Sequence, residues 1–160
     1  MQVPVAEGVF TWPSDDPQLI GSRCADCGMV TFPRQDSCPR CASTAMEEAL
    51  LSRRGTLWAW TTQSFPPPPP YSGPTGKDFV PFGVGYVELA GEVKVESRLT
   101  ESDPDLLTNG MEVELVVVPF RTDDDGNEVV TFAFRPVTSG ERSARATSPG
   151  DSTPRSERDR

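Results

Sequence analysis

Cys24-Ala25-Asp26-Cys27-Gly28 and Cys38-Pro39-Arg40-Cys41-Ala42 decide how the front of this chain folds. Each C-x-x-C lets two sulfurs approach one ion from a single tight turn, and two such turns ten residues apart close a tetrahedral four-sulfur site. Gly28 follows the first turn, where a residue without Cβ can swing the backbone so that amides point at thiolate sulfur. Ala42 holds the matching place after the second. The segment has too few apolar side chains to fold alone, so the metal is its core. Zinc is expected rather than iron, although a rubredoxin-type iron site uses similar turns. With all four positions filled by Cys24, Cys27, Cys38 and Cys41, no place is left for water or substrate, and the ion is structural.

Working outward, the whole sequence of 160 residues has room for one compact domain, or a very small one attached to a medium one. Fifteen Lys and Arg stand against 24 Asp and Glu, with no His, giving a net charge of −9. Five Arg and four acidic residues follow Pro136, so the part before them is close to −10 and would repel a phosphate backbone. No run of 18 apolar residues and no secretory leader is read, so a cytoplasmic location is expected. In a reducing compartment paired cysteines are metal ligands more often than disulfides.

Behind the metal segment, five stretches rich in Val, Phe, Trp and Thr read as strands: 56–65, 80–89, 92–99, 112–120 and 128–135. Val93, Val95 and Leu99 face one side of the third, against Glu92, Lys94, Glu96 and Arg98. Val130, Phe132 and Phe134 do the same in the last. Ala90-Gly91 reads as a tight hairpin turn, residues 123–127 as a longer polar one, and residues 103–110 as one helical turn. Five strands with a helical element between the third and fourth match an OB-fold barrel, with an open sandwich as the alternative. Ahead of the cysteines, a helical turn is expected around Asp16 to Ile20. The expected fold is mainly β: an N-terminal helical or extended segment (1–22), a rubredoxin-like zinc ribbon (23–45), a five-stranded OB-fold domain (46–137) and a disordered tail (138–160).

Catalytic candidates are few. Without His the usual general base is missing, and the four cysteines are committed to metal. Lys77, Lys94, Tyr71, Tyr86 and the carboxylates form no constellation by spacing, so no catalytic residue is assigned. The unusual feature is the run Phe65-Pro66-Pro67-Pro68-Pro69-Pro70-Tyr71, followed by Phe79 and Phe82. Five prolines favour a stiff polyproline II rod, a rigid apolar ridge that loses little entropy on binding. Either it is only a stiff connector, or it is a contact surface for another protein or a long acyl ligand.

Several of these pieces occur together in one family. Leu19-Ile20-Gly21-Ser22-Arg23-Cys24 leading into Cys27-Gly28, then Phe32-Pro33-Arg34, the second cysteine pair, Arg54-Gly55-Thr56-Leu57, Pro81 to Leu89, and Asn109-Gly110-Met111-Glu112-Val113-Glu114 resemble the acyl-CoA-associated DUF35 family. The resemblance spans about Gly8 to Pro136. It implies a ribbon followed by an OB barrel, and a partner of the thiolase superfamily, a lipid-transfer-like thiolase or aldolase acting on acyl-CoA, in a hetero-oligomer. The Thr131 to Pro136 ending and the proline loop are similar to the branch that assists retro-aldol cleavage in steroid side-chain degradation. Ala42 and Arg53 depart from the glycines frequent in the family at those places. The alternative function is a nucleic-acid-binding module, since ribbons and OB-folds also serve there; the acidic balance speaks against it.

Overall fold

A computed structural model describes residues 1–138; the tail expected to be disordered (138–160) lies, beyond Thr138, outside the described residues. Among the described residues nine strands form in chain order: β1 (Gln2–Pro4), β2 (Ile20–Cys24), β3 (Val30–Thr31), β4 (Met46–Leu50), β5 (Arg54–Gln63), β6 (Phe82–Glu88), β7 (Lys94–Leu99), β8 (Glu112–Thr122) and β9 (Glu128–Pro136). The five strands expected behind the cysteines are all present, each shifted by a few residues at its ends.

Those five close on themselves. β5 pairs antiparallel with β6, β6 with β7, and β8 with both β5 and β9, while β9 meets β7 in parallel at Leu99 and Phe134. The circuit β5-β6-β7-β9-β8 is the strand order of an OB barrel, and closure leaves the open sandwich without support. Alternation behaves as the sequence implies: along β7, Val95, Ser97 and Leu99 are buried while Lys94 and Glu96 are exposed. Leu57, Val87, Val113, Leu115 and Phe134 complete the interior. Each such side chain contributes roughly 1.5–3 kcal/mol by leaving water. Gly55 permits the tight β5–β6 crossing, because a Cβ there would sit 2.6 Å from the Glu88 carbonyl.

The ribbon is a three-stranded antiparallel sheet in the order β3-β2-β4. It shares the barrel's core. Phe10, Leu19, Val30 and Leu51 belong to one continuous cluster with Leu57 and Phe134, and Phe132 meets both Phe10 and Phe32 edge-on at 6.4 and 5.7 Å. Burying aromatic edges in this way adds about 0.5–1.5 kcal/mol per pair beyond area.

Both expected helical turns are corrected. Residues 11–19 fold back as a loop instead, with Thr11 N–H on the Gln18 carbonyl and Phe10 bridged to Leu19. Pro17 itself would be tolerated in a first turn capped by Asp16, but Leu19 and Ile20 are drawn into extended pairing, with Ile20 N–H on the Val9 carbonyl, so no residues remain to continue a helical turn. Residues 103–110 form two separate hydrogen-bonded turns and no helical one: the Asp103 carbonyl accepts from Leu106 N–H while its side-chain oxygen takes the Asp105 amide, and the Thr108 carbonyl accepts from Met111 N–H with Gly110 at φ +86°. These side-chain bonds compete with helix continuation. Among the described residues, the one helical element is a 3-10 turn at Gly76–Asp78, inside the proline-rich loop. No helix among them is long and apolar enough to cross a membrane.

Candidate metal centre

The two cysteine turns are built alike. Gly28 N–H donates to the Cys24 carbonyl at 2.9 Å and Ala42 N–H to the Cys38 carbonyl at 2.8 Å; Cys24 N–H reaches the Met29 carbonyl and Cys38 N–H that of Ser43. Both residues after the turns lie in the left-handed region, Gly28 at φ +74° and Ala42 at +60°. Gly28 does so freely, whereas Ala42 carries the Cβ cost of that conformation.

The four sulfurs lie within 4.8 Å of one another, with Cys24 to Cys41 at 3.6 Å and Cys27 to Cys38 at 3.5 Å. A tetrahedron of sulfurs about 2.3 Å from zinc has edges of about 3.8 Å, so the cage has the size zinc requires. Backbone amides supply part of the charge balance. The Cys27 amide leads in holding the Cys24 thiol below its ordinary value, against desolvation. The Cys41 amide leads in bringing Cys38 down to about 6. For Cys41 the Ser43 amide pulls downward, but the sulfurs of Cys27 and Cys24, burial and Cys38 push it up to about 12. A fourth negative charge is resisted among thiolates alone, and a divalent cation at their centre removes that resistance. The four cysteines are thus positioned to hold one metal ion, with donors and spacing that suit structural zinc.

The proline-rich loop is not one extended rod. Tyr71 N–H donates to the Pro68 carbonyl at 3.2 Å, so the chain turns at Pro69–Pro70 and the polyproline geometry ends there. Phe65 and Val80 project outward, 67% and 70% exposed, and Pro68, Pro69 and Pro70 are exposed; Pro66, Pro67, Tyr71, Phe79 and Phe82 are half-buried. Tyr71 rests edge-on against Phe120 at 6.0 Å, Phe79 meets Phe82 at 6.1 Å, and the Arg98 guanidinium lies 4.0 Å over the Phe82 ring. The loop's own rings therefore tie it to the barrel, while Phe65 and Val80 remain outside.

Sequence reasoning missed an ion-pair hub. Glu114, buried on β8, takes Arg135 at 3.2 Å and Arg53 and Arg54 at 3.7 Å each. Arg53 also bonds Asp16 and the carbonyls of Pro17 and Leu115, joining the N-terminal loop to the barrel wall. Its one sequence signal was the departure of Arg53 from a family glycine.

Comparison with known proteins places these features together. Residues 12–47 match the family described as the ChsH2 rubredoxin-like zinc ribbon domain, and residues 48–118 the ChsH2 C-terminal OB-fold domain. A DUF35 domain-containing scaffold protein of Methanothermobacter thermautotrophicus is 34% identical over 139 residues, covering 84% of this chain and 99% of that protein. The benzoylsuccinyl-CoA thiolase subunit BbsA of Thauera aromatica is 31% identical over 121 residues, covering 76% and 78%. Among solved structures, the Ltp2-ChsH2(DUF35) aldolase is similar at a TM-score of 0.55 and 25% identity, over 74% of this chain and 84% of that one.

Proposed function

This chain belongs to the DUF35 family of zinc-ribbon and OB-fold proteins, and on that premise we propose that it is a non-catalytic accessory subunit of a thiolase-superfamily enzyme acting on acyl-CoA. The observation that carries the reading is the near full-length match to DUF35 scaffold proteins, joined by a thiolase subunit and an aldolase complex among the relatives. The chemistry of the chain is consistent with it: no His, and four cysteines gathered on one metal cage. A coordinatively closed ion holds the ribbon and leaves bond-making to the partner. The finer reading, retro-aldol cleavage of a β-hydroxyacyl-CoA from a steroid side chain, draws on the aldolase neighbour. We place the protein in the cytoplasm.

Contact with the partner is assigned to the loop that carries Phe65 and Val80, because large apolar side chains that stay in water on an acidic surface mark an interface. A nucleic-acid role has one observation in its favour. Trp58, bulged out of β5 and 55% exposed, stands edge-on to Tyr86 with Lys94 4.6 Å over its ring. Bases stack on such rings, yet Glu96 accepts the Tyr86 hydroxyl and Glu88 faces Lys94 across the β6–β7 pair, so acids stand beside the platform.

Co-expression with a thiolase-like protein encoded beside this chain tests the reading. A complex of fixed stoichiometry that survives gel filtration is expected. Separate elution of the two proteins at micromolar concentration would contradict it.

A further inference from the structure

Outside the metal cage and the ion-pair hub, Arg98 borders open space beside the proline-rich loop. It lies on the outward face of β7, half-buried, at the meeting of three adjoining concavities between the proline-rich loop and β7 and β8. The largest, about 390 Å³, is walled by Tyr71, Phe82, Phe120 and Phe132. The guanidinium carbon lies 4.0 Å over the Phe82 ring, which covers it on that side. Its N–H edge has no carboxylate or carbonyl partner among the described residues. Glu96 and Asp78 also line the cleft, but Glu96 accepts the Tyr86 hydroxyl at 3.4 Å, and neither pairs with Arg98.

A stacked, partly desolvated guanidinium with an open donor fork is preorganised for a planar oxyanion, and each bond to it is charge-assisted. The rings around it demand an apolar flank on whatever brings that anion. Val80, 70% exposed, lines two of these concavities, and Phe65, 67% exposed, projects from the same loop, so large apolar side chains stand in water beside the cleft as they do at protein interfaces. From this geometry we infer that the cleft receives a protein segment: an Asp or Glu of the partner enzyme, flanked by an apolar side chain, seated with its carboxylate on Arg98. The inference rests on the accessory-subunit reading and gives its interface a centre. Arginine among aromatics is the residue type that dominates binding energy at such centres.

The test uses the complex with the co-expressed thiolase-like partner. Arg98→Glu, at unchanged zinc content and β circular dichroism, is expected to raise Kd at least tenfold, and Arg98→Lys, which keeps charge but loses the fork, by less. Reversal to Arg of the partner acid found by crosslinking near Tyr71 should restore affinity to the Glu variant. Should Arg98→Glu fail to fold, Arg98→Gln removes the positive charge and the fork without adding a negative charge, and is held to the same tenfold rise. Parent-like affinity in the folded variants overturns the inference and leaves the accessory reading standing. Loss of coenzyme A binding, with coenzyme A as the probe, but no change in the complex, also overturns it, making the cleft a small-molecule anion site. If the parent chain itself forms no complex, the accessory reading falls and this inference with it.

Discussion

At the residue scale the informative position is Ala42. Gly28 and Ala42 occupy equivalent places, both at positive φ, but only one of them is a glycine. Ala42→Gly relieves the Cβ penalty at some cost in unfolded-state entropy, and we expect a net gain of about 0.5–1 kcal/mol in denaturant unfolding of the zinc-loaded protein. A destabilised variant would mean that the Cβ makes a contact worth more than the backbone cost. Glu114 is the converse case, a buried acid gripped by three arginines. Glu114→Gln keeps its shape but strips the charge, leaving the guanidiniums crowded together; a loss of about 1–3 kcal/mol is expected, discounted because the arginines remain partly in water. Both effects are read from the same urea titration.

At the scale of elements, the strands behind the cysteines were legible because Val95 and Leu99, or Val130 and Phe134, repeat with a period of two around real cores. The metal site was legible because spacing alone fixes it. β4 was not: Met46-Glu47-Glu48-Ala49-Leu50 is composed of helix formers, and only pairing with β2 at the ribbon's edge makes it a strand. β1 is equally silent, three residues held in parallel by the start of β9. The helical turn expected near Asp16 failed where the extended pairing of Phe10 with Leu19 outweighed a capping signal. In the proline-rich loop the sequence marked the rings but could not say which way they face: Tyr71 and Phe82 lie over the barrel while Phe65 and Val80 look out. Replacing Phe65 and Val80 together by Ser should therefore weaken the partner complex at least tenfold with no loss of stability, whereas Tyr71→Ser should lower stability as well, by about 1–2 kcal/mol. Equal thermal stability of the two variants would contradict this division. The polar turn at 123–127 has its own switch: the Asn127 side chain and amide hold the Asp123 carboxyl below its ordinary value. Its contribution is present above the unfolded value and is lost as pH falls through the lowered folded value.

At the scale of the molecule, ribbon and barrel share Phe10, Leu19, Leu51 and Leu57 in one core. Metal loss should therefore be felt beyond the ribbon. Cys38→Ser, or chelation of the parent, should abolish stoichiometric zinc and lower the melting temperature of the whole fold in one transition; a barrel melting at the parent temperature would show that the two parts are energetically separate. The same unity suits a scaffold, because a rigid body presents the proline-rich loop and the Arg98 cleft to a partner at fixed geometry. The central claim is that chemistry belongs to that partner, and the most direct measurement is turnover of an acyl-CoA thioester by the chain alone, by the thiolase-like partner alone and by both together. Our account predicts no turnover by the isolated chain and a higher rate for the pair than for the partner alone. Robust turnover by the isolated chain, abolished by a point substitution within it, would contradict the account.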